Sequence, residues 1–291
     1  MVAFIVGQQK LKIAVPKGRL YDAVVSLLAR AGITLSKNGR SYRPACNDPE
    51  IEVKIFKSQN IPKLVELGSQ DIGFTGYDWV LEQKAEVKEL LDLEYNSVRI
   101  VAAIPKTYSL DSLKKRRIVV GSEYEVITKK FLVENGYDAV LLKTYGATEV
   151  FVPEDADMIV DNTSTGRTLK ENNLKIVDTL LESTTRLIAN KNSLQDSWKK
   201  KKIEDILLLL RSVLEGEKRV FIEMNVSSDG LDELIPVLPC LKAPTVSPLY
   251  GDQGYAIKVV VKKDEVKYLI PLLKEKGATG ILVMNLEKVI P

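Results

Sequence analysis

The sequence predicts an α/β chain with two lobes, followed by a ferredoxin-like tail. Three observations lead there. Short apolar strands end repeatedly on corners of glycine, hydroxyl or basic residues that open into helices. The strand–helix rhythm restarts after Pro105. Residues 217–291 read as βαββαβ, the ferredoxin-like order. The boundaries that follow are 1–104 with 182–214 for a discontinuous first lobe, 105–181 for the second, and 217–291 for the tail.

Leu11–Val15 is the first strand, and it runs into Pro16-Lys17-Gly18-Arg19. Leu20, Val24, Leu27, Leu28 and Ala31 recur at helical spacing, and Gly32 stops the helix. Ile51–Phe56 alternates as a strand. A helix begins at Asn60-Ile-Pro62 and ends at Gly68. Asp71–Gly76 is a strand ending on Thr75-Gly76, with a helix from Trp79. Val98–Pro105 is an apolar strand. Strands at 117–121 and 138–142 flank a helix over 123–135, and Tyr145–Glu149 starts a short helical segment. Met158-Ile-Val160 is a strand suited to burial on both faces. Leu187–Asn190 is a strand leading back to the first lobe, and Asp205–Leu214 is a packed helix. In the tail, strands at 220–226, 244–248, 255–261 and 279–284 alternate with helices at 231–238 and 264–276. Asp264 is the expected cap of the second of these. The 255–261 strand pairs across the Tyr250–Gly254 turn.

Composition narrows the function classes. The 291 residues are 45% hydrophobic and 28% charged, as in a soluble globular protein, and the net charge is only +3. The basic runs Lys114–Arg117 and Lys199–Lys202 lack interleaved aromatics, which favours a solvated face over a nucleic-acid surface. Two distant cysteines, Cys46 and Cys240, make neither a disulfide framework nor a metal cluster and suit the cytoplasm. The apolar run Val2–Val6 is too short for a signal peptide or membrane span. Histidine is absent, which removes Ser-His-Asp and Cys-His nucleophile systems and imidazole-bound zinc. Charge stabilisation and positioning are the chemistry left. No Gly-x-x-x-x-Gly-Lys-Ser/Thr loop of a P-loop kinase occurs.

The most informative stretch runs from Asp157 to Leu169. A buried strand ends on Asp161 and opens into Asn162-Thr163-Ser164-Thr165-Gly166-Arg167-Thr168. Closely spaced backbone N–H groups, four hydroxyls and one glycine make an anion cradle before a helix. An ordinary capped strand-to-helix connection has the same local chemistry. The Lys17–Arg19 and Thr75–Gly76 corners fall at the carboxyl ends of other strands, the edge where open α/β sheets bind ligands. A cleft between lobes is the expected small-molecule site, with hinge closure on binding.

Four segments in register resemble the long form of the ATP phosphoribosyltransferase family. They are Ala14–Leu20, Asp71–Asp78, Ala156–Leu169 with Glu171–Leu174, and Leu241–Leu249. Asn173 stands where the family often has Gly, and Asn162 where an apolar residue is usual. The resemblance implies a two-lobed, periplasmic-binding-protein-like catalytic core with a C-terminal regulatory domain. It implies condensation of ATP with phosphoribosyl pyrophosphate and Mg²⁺ dependence; the sequence itself offers no dedicated protein cage for the metal, which is expected to ride on pyrophosphate oxygens and water. The resemblance also implies feedback inhibition by histidine, AMP as a further inhibitor, and homo-oligomers that are dimers and hexamers. Neither nucleic acid nor membrane is an expected partner. On this basis Ser164, Thr165, Gly166 and Thr168, with Thr163 and Arg167, are expected to hold the donor's 5′-phosphate. Asp161, Asp157 and Glu149 are expected to face the ribose. Lys17, Gly18, Arg19, Thr75 and Gly76 are expected to meet ATP or pyrophosphate. Asp161, Asp157 and Lys17 are the expected catalytic residues. Glu223, Asn225, Thr245 and Thr279 are the expected effector contacts, from their places on the tail strands. A non-catalytic two-lobed sensor is the competing reading.

Overall fold

The computed structural model describes residues 9–36, 41–251 and 253–290. The Val2–Val6 run and Asp252 of the Tyr250–Gly254 turn lie outside them. Two compact units divide the chain: 1–26 with 34–203, and 27–33 with 204–291.

In the first unit, β1 (Leu11–Lys17) is buried along most of its length because it has neighbours on both sides. After α1 (Tyr21–Arg30) come the short pair β2 (Leu35–Ser36) and β3 (Ala45–Cys46), then β4 (Ile51–Lys57). Next are α2 (Ile61–Glu66), β5 (Ile72–Gly76), α3 (Tyr77–Glu82) and β6 (Lys88–Asp92). The chain then crosses into a second sheet. Its elements are β7 (Val98–Pro105), α4 (Leu110–Leu113), β8 (Ile118–Ser122), α5 (Glu125–Glu134), β9 (Ala139–Lys143), β10 (Met158–Thr163), α6 (Arg167–Glu171) and β11 (Leu174–Ser183). β12 (Thr185–Ala189) returns to the first sheet, and α7 (Ser197–Glu217) follows.

The two sheets have one plan. The first is ordered β4-β1-β5-β12-β6 and the second β9-β8-β10-β7-β11. In each, the strand that enters from the other sheet, β12 or β7, pairs antiparallel with both of its neighbours. β1, β4 and β5 run parallel, as do β8, β9 and β10. This repeated order makes the two lobes of the core. It points the carboxyl ends of the parallel strands at the crossings between sheets. β7 pairs wholly within the second sheet, so the lobe boundary expected at 104 falls before Val98 instead.

Besides the two-residue pair β2 and β3, the longer strands β6 and β11 were not foreseen. β6 is a charged edge strand, Lys-Glu-Leu-Leu-Asp, with no alternation to betray it. β11 has irregularities at Ile176/Asp178 and Thr179/Leu181 that break its period of two. α7 begins eight residues before the expected start, and the Lys199–Lys202 run lies on it. Lys199 pairs with buried Asp71 at 2.7 Å, and Lys202 with Asp48 and Glu50 at 2.7 and 2.6 Å, so these two lysines are structural, not part of a solvated face.

In the second unit, β13 (Arg219–Val226), α8 (Leu231–Leu234), β14 (Thr245–Pro248), β15 (Tyr255–Lys262), α9 (Val266–Glu275) and β16 (Thr279–Asn285) form a sheet of order β14-β15-β13-β16. Every pairing is antiparallel, as the βαββαβ order requires. Val220, Ile222, Met224 and Val226 alternate into the core with Ile257, Val259, Val261, Leu269 and Leu273. The expected cap at Asp264 is replaced: Glu265 occupies the N-cap position, and its side chain makes no capping bond. Helix geometry lasts only to Leu234 in α8, and a tighter turn holding Pro236 follows.

Gly254 closes the β14–β15 turn at φ +104°, and a Cβ there would lie 2.1 Å from the Val226 carbonyl oxygen. Both the strained backbone and the clash with β13 oppose any side chain. Gly254→Ala should therefore destabilise the tail by roughly 2 kcal/mol, seen as a lowered unfolding transition. An unchanged transition would contradict this packing.

Candidate active site

α3 joins the two sheets chemically. Asp78, in its first turn, is 5% exposed and is held by two hydroxyls. Ser183 Oγ, at the end of β11, donates to Asp78 Oδ1 at 2.6 Å and accepts from the Asp78 N–H at 3.0 Å. Tyr124, just before α5, donates to Asp78 Oδ2 at 2.8 Å. The Tyr124 ring stacks on Trp79 with centroids 4.7 Å apart. Glu82, at the other end of α3, accepts from the N–H groups of Val126 and Ile127 at 3.0 to 3.1 Å. It supplies the cap that α5 lacks from its own N-cap residue. Burial and the Asp78 carboxylate push the Tyr124 hydroxyl above its ordinary pKa, so it remains a donor.

Asp78, Trp79, Tyr124 and Ser183 line a cavity of about 420 Å³. Lys17, Gly18, Arg19, Lys57, Ser58 and Gly76 contribute from the first sheet. Glu123, Tyr124 and Asn162 contribute from the second. Cations thus face the carboxyl end of β10 across open space. Gly18 takes φ +84° at the corner after β1. Lys17 is folded onto Tyr42, donating to its hydroxyl at 2.9 Å with the ammonium 5.1 Å from the ring centre.

At the end of β10, Asp161 is held among acids. Its carboxylate accepts from the Asn162 N–H at 2.6 Å and the Asn162 side-chain amide at 3.2 Å. Thr148 also hydrogen-bonds it. Burial, with Glu123 and Glu149 nearby, outweighs these donors and pushes its pKa up to about 6. The loop that follows is closed internally. Thr163 Oγ1 accepts from the Gly166 N–H at 3.0 Å, and Thr165 Oγ1 from the Arg167 N–H at 3.4 Å. Gly166 sits at φ +77° as N-cap of α6, and Ser164, Thr165 and Thr168 are exposed. Arg167 is exposed and pairs with Glu171 at 2.7 Å. Asn173, where glycine was expected, has φ +56°, a left-handed conformation that asparagine tolerates.

Two expected contacts are not available. Asp157 lies at the start of β10, about 13 Å along the strand from Asp161. It is bonded there to Arg116 at 2.5 Å and to the Val119 N–H at 2.9 Å. Burial alone would raise its pKa, but these donors hold it below the usual range, so Asp157 is a structural ion pair. Thr75 is fully buried, and its hydroxyl donates to the Ser58 carbonyl at 2.9 Å, so only Gly76 of that corner reaches the cavity. Glu149 acts on the charge of Asp161, though neither lines the cavity, while Lys17, Gly18 and Arg19 do. None of Ser164–Thr168 lines the cavity; the loop begins where the cavity wall ends, at Asn162. Tyr124, Glu123, Ser58 and Ser183 gave no sequence signal, being isolated polar residues at element ends. Asp78 was visible only as the last residue of a motif. In the tail, Glu223 and Thr245 flank Lys258 in register on the face away from the core, with Glu223–Lys258 at 3.8 Å. Asn225 shares that strand and alternation, and Thr279 Oγ1 donates to its carbonyl at 3.4 Å.

Comparison with known proteins places this geometry. The ATP phosphoribosyltransferase family profile matches residues 57–212, and the profile of that family's C-terminal domain matches 216–288. The chain belongs to the ATP phosphoribosyltransferase family. An ATP phosphoribosyltransferase of Pelotomaculum thermopropionicum is 43% identical over 97% of this chain and 100% of its own. One of Prosthecochloris aestuarii is 42% identical over 98% and 99%. Among solved structures, the ATP phosphoribosyl transferase (HisG:HisZ) complex from Thermotoga maritima aligns at TM-score 0.62 and 27% identity, over 69% of this chain and 98% of that one. The chain is thus a phosphoribosyltransferase of the glycosyltransferase type.

Asp161 carries a sign that tests the site. A carboxyl whose folded pKa is raised contributes stability below its unfolded value near 4 and loses it as pH rises through about 6. At neutral pH the ionised group is therefore a burden on the fold. Asp161→Asn should raise the melting temperature at pH 7.5 by a few degrees and leave it unchanged near pH 4. A lower melting temperature at pH 7.5 would contradict the clustering of acids.

Proposed function

We propose that the cavity is where ATP meets 5-phosphoribosyl 1-pyrophosphate, giving N1-(5-phosphoribosyl)-ATP and pyrophosphate, the first step of histidine biosynthesis. Adenine N1 attacks the anomeric carbon with its own lone pair. The carbon–oxygen bond to pyrophosphate breaks, and pyrophosphate leaves with the bonding electrons. No strong base is required, which suits a chain without histidine. The observation that carries this reading is the facing of Lys17 and Arg19 against the carboxyl end of β10, within a chain of this family.

Each residue then has a role. The exposed hydroxyls and N–H groups of Ser164–Thr168 hold the 5′-phosphate, with the Thr163 and Thr165 bonds shaping the loop. Asp161 stabilises the positive charge that develops on the ribose ring, and Glu149 and Glu123 add to the negative field. Lys17, Gly18, Arg19 and Gly76 hold pyrophosphate or the ATP phosphates. Trp79 and Tyr124 supply the apolar floor. Mg²⁺ is taken to arrive on the substrate phosphates, since this ion keeps much of its water and binds largely through phosphate oxygens. Positioning of two polyanions supplies most of the rate.

The tail is the regulatory module, with Glu223, Asn225, Thr245 and Thr279 on the open sheet face contacting histidine; AMP is a second inhibitor. The chain works in the cytoplasm as dimers that assemble into hexamers. Among the described residues, no helix is long and apolar enough to cross a membrane. The non-catalytic sensor reading is disfavoured by family membership along nearly the full chain.

Pyrophosphate release measured with ATP, the donor and Mg²⁺ should show kcat falling below pH about 6, where Asp161 takes up a proton. Asp161→Asn should lower kcat by roughly 10²-fold and abolish that limb. Ligand binding without release in the unaltered chain would return the sensor reading. In the same assay, Glu223→Ala with Asn225→Ala should weaken histidine inhibition at least tenfold and keep uninhibited turnover within about twofold. Unchanged inhibition would remove the open face as the effector site.

A further inference from the structure

The side chain of Asn162 is the only link between Asp161 and the buried Asp78–Tyr124 pair among the hydrogen bonds of the described residues. Its Nδ2 lies 3.2 Å from Asp161 Oδ1 and 3.2 Å from the Tyr124 hydroxyl. An amide nitrogen has two hydrogens, so both contacts can be donations. The hydroxyl of Tyr124 has a single hydrogen, and it is committed to Asp78, a carboxylate that can only accept. The Tyr124 lone pairs are therefore what Asn162 meets. The other oxygen of Asp78 is occupied by Ser183. Every donor direction in the chain Ser183–Asp78–Tyr124–Asn162–Asp161 is thus determined. Flipping the Asn162 amide would set its oxygen against one carboxylate and one hydroxyl lone pair.

We propose that Asn162 is a positioning residue for the transfer reaction. By sharing its amide between Tyr124 and Asp161, it holds the Asp161 carboxylate toward the donor's ribose ring, and Asp78 anchors the amide from the first sheet through Tyr124. The proposal rests on the reading above, in which Asp161 faces the reacting carbon. The need for such a device is visible in what surrounds Asp161. Glu123 and Tyr124 face it from the turn before α5, Thr148 and Glu149 from the turn after β9, and Val101 lies opposite it on β7. Two of these groups repel a carboxylate and one is apolar. The donations from Asn162 and Thr148 oppose that repulsion and hold the ionised side chain in one orientation. Because α3 also caps α5 through Glu82, the anchor at Asp78 is tied to the second sheet as well as the first.

The test is kcat and KM as functions of pH for Asn162→Leu, Tyr124→Phe and the double variant. Asn162→Ala serves as a second version should leucine disturb the fold, and Trp79 fluorescence checks the stacked pair. Asn162→Leu keeps the volume but cannot donate. It should lower kcat about tenfold with KM for ATP within about twofold, and move the acid limb of kcat upward by about half a pH unit. Tyr124→Phe should act in the same direction by about threefold. The two residues act in series, so the double variant should be no slower than Asn162→Leu. An acid limb that stays in place in both Asn162 variants, or losses that multiply in the double variant, would overturn the positioning role. Asp161→Asn in the same series separates the causes. A limb lost in Asp161→Asn but unmoved in Asn162→Leu removes only the role of Asn162. A limb retained in Asp161→Asn overturns both this proposal and the placement of Asp161 at the reacting carbon.

Discussion

A buried carboxylate must be fully hydrogen-bonded, and Asp78 meets that demand with groups from the second sheet. An unpaired charge at 5% exposure would cost several kcal/mol. Ser183 and Tyr124 are the donors that prevent this, and each is at the end of an element of that sheet. Glu82 repeats the logic one turn and more along the same helix, by capping α5. The two sheets share one strand order, and nothing in that order joins them beyond the crossings of β7 and β12. α3 supplies the polar joints. The cavity is the space those joints leave at the carboxyl ends of the parallel strands.

The chemistry follows from what this arrangement concentrates. One wall is cationic, with Lys17 and Arg19 at a glycine corner. The other carries Glu123 and Asn162, with Asp161 and Glu149 nearby at the end of β10 but outside the cavity lining. Polyanionic substrates suit the first wall and a developing ribose cation suits the second. Holding Asp161 ionised while buried among acids works against folding at neutral pH, a cost of the kind that functional sites often carry. In a chain without histidine, Asp161 is a carboxyl pushed up to about 6, by burial first and by its acidic neighbours second.

Much of the fold was legible in the chain, because the strands of both lobes are apolar runs ended by corners that only glycine, proline or small polar residues tolerate. The tail order was legible for the same reason: β13 alternates cleanly. β6 and β11 were not, since one is a charged edge and the other is bulged. The corner after β1 was legible, and Lys17, Gly18 and Arg19 line the cavity. Asp157 could not be separated from Asp161 by type, because strand direction, not composition, puts it at the far end beside Arg116. Thr75 looked like a ligand hydroxyl until Ser58 proved to be its partner. Tyr124 and Ser183 were invisible, since their partner Asp78 is 46 and 105 residues away.

The proposed site turns on the donor spanning from the loop after β10, which holds its 5′-phosphate, to the Lys17–Arg19 corner of the cavity, which takes its pyrophosphate. The most direct measurement is a crystal structure with phosphoribosyl pyrophosphate and Mg²⁺ bound. The account predicts the 5′-phosphate in the Ser164–Thr168 loop, the anomeric carbon beside Asp161, and the pyrophosphate directed toward Lys17 and Arg19. A 5′-phosphate at the Lys17–Arg19 corner, with the loop after β10 untouched, would contradict it.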